Sequence, residues 1–235
     1  MGSASHKPRT SGELRVQSRP ASWVLDGALD GRPLVVLAHG AGAPYTSPFM
    51  VAVARGLAAR GAAVVRFHFP YMERGVREEK RGAPDRPAVL LETWRAVLGE
   101  IASWEHPHEP RLVLGGKSMG GRLASMLLAE ETPSGVRGAV YLGYPLSPAG
   151  KPEQVRAAHL EAVRVPQLFV SGSRDSLCDL GRLRAALSPL GARARLHVVE
   201  GGDHSLATSR KEPLAGSDAW IDVVMTFIRQ CCPAE

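Results

Sequence analysis

Gly116-Lys117-Ser118-Met119-Gly120-Gly121 lies between an apolar run, Arg111–Leu114, and a segment, 119–130, that places Leu123, Met126 and Leu127 at spacings of three and four. The run reads as a strand and the segment as an amphipathic helix. A serine at the centre of G-x-S-x-G, on a tight turn from strand to helix, exposes its hydroxyl. Glycine is needed on either side because a side chain there would meet neighbouring backbone. The helix N-terminus then points at the serine, and the amide of Met119 is placed to donate to a developing oxyanion. Gly116-Lys117-Ser118 also looks like the end of a phosphate-binding loop. That motif needs a further glycine five positions before Gly116, where Arg111 stands.

Working outward, strand-like runs alternate with helical patterns. The strands are expected at Leu14–Gln17, Trp23–Leu25, Leu34–Ala38, Ala63–Phe67, Arg111–Leu114, Ala139–Leu142, Gln167–Val170 and Arg195–Val199. The helices are expected at Ser47–Arg60, Arg86–Ser103, Met119–Glu130, Leu180–Leu187 and Ser217–Gln230, with Gly61 as the stop of the first. Such alternation implies βα units on a mostly parallel sheet flanked by helices, an α/β fold. Tyr71–Pro87, rich in charge, Gly and Pro, reads as a long loop, and residues 145–166 have room for one short helix. Residues 1–13 read as a disordered basic tail and residues 14–235 as a single domain.

A serine nucleophile needs a base, and the base needs an orienting carboxylate. Asp175 follows the strand Gln167–Val170 within Ser171-Gly172-Ser173-Arg174-Asp175. His204 follows Arg195–Val199 within Gly201-Gly202-Asp203-His204-Ser205. Both fall in short turns at the C-terminal ends of strands, where α/β folds place their sites. Asp179 reads as the start of the next helix, and Asp203 abuts His204, which disfavours triad geometry. His68, His106, His108 and His197 have no matching context. Cys178 reads as a small buried residue.

Composition excludes several classes. The 235 residues are 44% hydrophobic and 22% charged, which argues against disorder of the bulk. No apolar run approaches the roughly 18 residues of a membrane span. The net charge of +6 is partly a matter of the first twenty residues, where Lys7, Arg9, Arg15 and Arg19 outweigh Glu13. With aromatic residues at 6% and no basic stripe or motif, no nucleic-acid partner is expected. Three cysteines cannot make a disulfide framework, and with Asn absent there is no glycosylation sequon, so a cytoplasmic protein is expected. Neither H-E-x-x-H nor C-x-x-C occurs, and no metal or organic cofactor is expected.

These residues resemble the α/β-hydrolase superfamily. A narrower likeness rests on Arg66-Phe67-His68-Phe69-Pro70-Tyr71-Met72, the segment Gly116 to Arg122, Leu142-Gly143-Tyr144-Pro145-Leu146 and Gly201 to Ser205. In that order they are similar to a small group of predicted hydrolases related to the testis-expressed protein 30 family. The resemblance implies an α/β-hydrolase fold with a minimal lid and a Ser118–His204–Asp175 triad. It also implies that His39-Gly40-Ala41-Gly42-Ala43 supplies the second oxyanion donor, Ala41 with Gly42 as the fallback, while His39 holds that loop by hydrogen bonds. Gly42 and Tyr144 are expected to contact substrate. Where such proteins often carry His-Pro-Pro after Gly-Tyr-Pro-Leu, this chain has Ser147-Pro148-Ala149. The expected activity is hydrolysis of a small ester or thioester through an acyl-enzyme. The alternatives are acyl transfer or a non-catalytic scaffold, and the oligomeric state is left open.

Overall fold

The apolar runs become strands because their side chains are needed on two faces at once. In the computed structural model, which describes residues 10–80, 82–106, 108–214 and 216–233, they form one eight-stranded sheet. Its strands are β1 (Ser11–Val16), β2 (Arg19–Asp26), β3 (Leu34–Ala38), β4 (Ala63–Phe67), β5 (Leu112–Lys117), β6 (Val136–Leu142), β7 (Gln167–Gly172) and β8 (Ala194–Val199). The order across the sheet is β1-β2-β4-β3-β5-β6-β7-β8. The hairpin β1–β2 and the β2–β4 pair are antiparallel; β4 and every strand from β3 to β8 run parallel.

The helices are α1 (Pro48–Ala59), α2 (Pro70–Arg77), α3 (Pro87–Ala102), α4 (Met119–Glu130), α5 (Leu180–Leu187) and α6 (Ser217–Cys231). The strand period of two sends alternate residues to opposite sides. Leu34, Val36 and Ala38 of β3 join Trp94 of α3 and Leu127 of α4 in one core. Val35 and Leu37 join Leu57 of α1 and Phe227 of α6 in the other. Each large apolar side chain buried this way contributes about 1.5–3 kcal/mol. Proline opens α1, α2 and α3, where its missing N–H is not needed. This is the expected α/β architecture.

Two expectations need correction. The expected long loop over Tyr71–Pro87 contains α2, which starts at Pro70. Its composition is polar, but Glu73 is buried and accepts from Ser22 N and from Arg77 Nε, and lies 2.9 Å from His68 Nδ1. Tertiary bonds therefore hold a helix that local hydrophobic pattern does not signal. Part of the expected tail is also strand. Residues 1–9 lie outside the described residues, but Ser11, Gly12 and Glu13 are the first half of β1 and face Val24, Trp23 and Ser22. Pairing with β2 orders them despite their exposed, polar side chains. Residues 145–166 carry one short 3-10 helix, Ala158–Ala162, and little else stands over the C-terminal ends of the strands there.

Candidate active site

Ser118 sits between the end of β5 and the start of α4 with φ 52° and ψ −119°. A non-glycine residue in that region is strained and is held there by its surroundings. Ser118 N donates to Leu142 O at 2.9 Å and Arg122 N donates to Ser118 O at 3.0 Å, which pins the β5–α4 turn to the end of β6. The glycines permit the approach. A Cβ on Gly116 or on Gly120 would run into Ala38 O, and one on Gly121 would lie 2.7 Å from Gly116 O.

His204, in the loop after β8, meets this serine: its Nε2 is 2.8 Å from Ser118 Oγ. Its Nδ1 is 3.0 and 2.9 Å from the two carboxylate oxygens of Asp175, in the loop after β7. An ionised carboxylate only accepts, so Nδ1 carries the hydrogen and Nε2 is left to accept from the serine hydroxyl. Asp175 is buried, and its Oδ1 also accepts from Leu177 N at 2.8 Å. Asp203 shapes the histidine loop instead of joining the chain, because its Oδ1 accepts from Ser205 N at 2.7 Å and Ala207 N at 3.0 Å. The three residues picked from the sequence are thus brought together from three separate loops.

A cleft of about 420 Å³ opens over Ser118 and His204 and is bounded by Ala41, Gly42, Phe49 and Leu177. Met119 is the first residue of α4, so its amide lacks an intrahelical acceptor. Ala41 and Gly42 lie on the other wall of the cleft. Their loop is braced as the sequence suggests: His39 Nδ1 donates to Gly40 O at 2.7 Å and His39 Nε2 accepts from Phe69 N at 3.2 Å. Full burial pushes the His39 imidazole down to about 3, so it stays neutral and serves as a brace. Tyr71 Oη donates to Ala41 O at 3.0 Å from α2.

Tyr144 does not line this cleft, which corrects its expected role as a substrate contact. It is wholly buried, its hydroxyl lies 3.2 Å from Ser125 Oγ, and burial pushes its pKa up to about 12. The Gly-Tyr-Pro-Leu segment turns its tyrosine into the core beneath α4, a direction that chain proximity to the site does not reveal. Ser125 also lies 2.8 Å from His159 Nε2, a second serine–histidine contact. Its hydroxyl donates to Arg122 O at 2.7 Å inside the core, so it is not poised for attack. Cys178 is buried, and burial pushes its thiol up to about 12, which keeps it an inert packing group. Among the described residues no three His, Cys, Asp or Glu side chains group as metal ligands would, and no helix is long and apolar enough to cross a membrane.

One contact escaped the sequence reading. Lys117, whose sequence context suggests only the end of a phosphate-binding loop, is buried beside Ser118 and its Nζ donates to the backbone carbonyl of His204. The Phe49 ring lies beneath the ammonium at 5.7 Å.

Comparison with known proteins agrees with this architecture. The model of the alpha/beta hydrolase domain family matches residues 31–231, and the chain belongs to that family. Its fold is similar to a serine hydrolase without a lid from Xanthomonas campestris, at 19% identity, TM-score 0.69 and coverage of 97% of this chain and 98% of that one. It is also similar to dienelactone hydrolase from Anabaena variabilis, at 20% identity, TM-score 0.69 and coverage of 94% and 99%. A third such structure is Est1E from Butyrivibrio proteoclasticus, at 15% identity, TM-score 0.70 and coverage of 95% and 99%.

Proposed function

We propose that this alpha/beta hydrolase is a cytoplasmic serine hydrolase that cleaves a small carboxylic ester or thioester, with Ser118, His204 and Asp175 as its catalytic triad. The observation that carries this reading is the continuous chain of contacts, 2.8 Å from Ser118 Oγ to His204 Nε2 and 2.9 Å from His204 Nδ1 to Asp175. In the first half-reaction Ser118 Oγ bonds to the carbonyl carbon while His204 Nε2 takes its proton. Asp175 stabilises the imidazolium through Nδ1. The amides of Met119 and Ala41 hold the oxyanion, each contributing roughly 3–4 kcal/mol. The tetrahedral adduct collapses, His204 returns the proton to the leaving alcohol or thiol, and an acyl-Ser118 ester remains. Water, deprotonated by His204, attacks that ester and releases the acid. The chemistry is complete without a cofactor.

Labelling with a fluorophosphonate probe, which phosphonylates activated serines, tests the reading. The wild-type chain is expected to label and Ser118→Ala to resist. Esterase turnover should fall by roughly a millionfold in that variant, to the level that binding and the oxyanion site alone sustain. Labelling that survives in Ser118→Ala would place the nucleophile elsewhere. No labelling and no turnover by wild-type protein would favour a scaffold role.

A further inference from the structure

Arg122 closes the glycine-rich motif of the nucleophile turn, and the hydrolytic chemistry gives it no task. On α4, Met119, Arg122 and Met126 are half-buried at spacings of three and four, amid neighbours that are buried outright. Arg122 therefore lies on the accessible stripe that leads away from Ser118, four residues or about 6 Å along the helix axis. A second arginine is brought to it by fold contacts. Ser125 Oγ meets His159 Nε2 at 2.8 Å, and Arg122 and Arg156 each stand three residues before one of those partners. Arg156 N is bonded to Leu146 O at 2.8 Å, which ties its segment down beside α4. In keeping with this, burial and then the neighbouring Arg122 charge hold the Arg156 guanidinium below its ordinary value.

Neither cation is neutralised by another of the described residues. Arg60, Arg66, Arg77 and Arg95 all reach carboxylates. Among the described residues no carboxylate comes within 4.0 Å of Arg122 or Arg156. The Nε of each is buried without a hydrogen-bond partner, and Arg122 Nη1 finds only the weak acceptor Met126 Sδ at 3.1 Å. Two neighbouring, partly desolvated guanidiniums repel each other, and a buried polar group left unpaired costs stability. Such a pair lacks one component, an anion with two oxygens, which the planar forks of arginine bind bidentately.

We infer that Arg122 and Arg156 form a carboxylate-recognition subsite beside Ser118, so that the substrate is the monoester or monothioester of a short dicarboxylic acid. This inference rests on the hydrolase reading above and deepens it by naming the substrate class. The free carboxylate docks on the two guanidiniums while the ester carbonyl reaches Ser118 Oγ. A short chain is expected to span the two, because Arg122 follows Ser118 by about one turn of the helix.

The test compares monomethyl succinate with methyl 4-methylpentanoate, in which an isopropyl group replaces the carboxylate. Wild-type kcat/KM is expected to favour the charged ester at least tenfold. In Arg122→Gln and in Arg156→Gln that ratio should fall toward one. Free succinate should inhibit wild-type turnover competitively, and each variant should need at least tenfold more. Arg156→Lys, which keeps the charge and loses the fork, should fall between and guards against a variant that fails to fold. Equal rates on the two esters, with turnover still dependent on Ser118, would overturn the subsite and leave the hydrolase intact. If neither ester is turned over and no probe labels Ser118, the hydrolase reading fails instead. Calorimetric titration with succinate then decides the subsite alone: binding lost in both arginine variants supports it, and no binding by wild-type protein overturns it.

Discussion

Lys117 Nζ donates to the backbone carbonyl of His204, so the residue directly before Ser118 anchors the residue that meets its hydroxyl. Gly143 makes room for this bond: its φ is +60°, and a Cβ there would lie 2.8 Å from Lys117 Nζ. Strand β5 and the loop after β8 are thereby tied at one point, and the serine–histidine distance depends on it. We expect Lys117→Met to lower kcat about tenfold or more, with little change in KM, since a charged hydrogen bond is worth about 1.5–3 kcal/mol. Steady-state kinetics on the folded variant checks this. An unchanged kcat would reduce the contact to packing.

The same lysine gives a pH signature. Burial pushes its ammonium down to about 8, against the opposing pull of Asp175 and Asp203, from an ordinary value of 10.5. Between those two values the unfolded chain binds more protons than the folded one, so this group makes stability rise as pH rises from 8 to 10.5. Below about 8 both states hold the proton, and the burial penalty is present in full. Urea unfolding of wild-type protein should show that alkaline rise relative to Lys117→Met. Parallel pH profiles for the two proteins would contradict the assignment.

Asp175 allows a separate prediction, because its carboxylate fixes the hydrogen on His204 Nδ1. Asp175→Asn preserves shape but can donate, which favours the wrong tautomer. Turnover is expected to fall by about 10⁴-fold while circular dichroism stays that of the wild type. A loss of less than tenfold would mean that another group orients the imidazole.

Glycines around the site are predicted to differ sharply in tolerance. A Cβ on Gly120 would clash with Ala38 O and lie 2.6 Å from His39 O, all backbone of β3 and its following loop. Gly120→Ala should cost about 3 kcal/mol or more, the upper end of overpacking effects, and should remove activity with it. At Gly42 an added Cβ meets nothing within 4 Å. Gly42→Ala is therefore expected to fold with a melting temperature close to wild type, and any change should appear in KM. Thermal denaturation of the two variants side by side decides this.

The difference between what the sequence revealed and what it hid follows from where the stabilising contacts come from. Strands β3, β4 and β5 are wholly buried, so their apolar runs announced them. Ser118, Asp175 and His204 were legible because each sits in a short turn after an apolar strand. Helix α2 and the start of β1 were not, because Glu73 and the β2 backbone hold them from a distance. Lys117 and His204 are 87 residues apart, and no local pattern pairs them. Tyr144 misled for the converse reason: it is near the site in the chain, yet its ring packs against Tyr141 and Phe169 in the core.

Acyl-chain selectivity follows from how little covers the cleft. Between Tyr144 and Val165 the only regular element is the five-residue helix Ala158–Ala162, and no inserted lid rises from it. A long acyl chain leaving Ser118 would run into solvent, and each CH₂ left unburied forgoes about 0.8 kcal/mol. Among neutral 4-nitrophenyl esters, kcat/KM should therefore stop rising by about the butyrate and gain nothing at micellar interfaces. The cleft wall supplies Phe49, Met50 and Leu177 as its large apolar residues, enough to favour propionate or butyrate over acetate by several-fold. A rate that climbs steadily to the laurate, or that jumps when the substrate forms micelles, would require a cover over Ser118 and would contradict an open site.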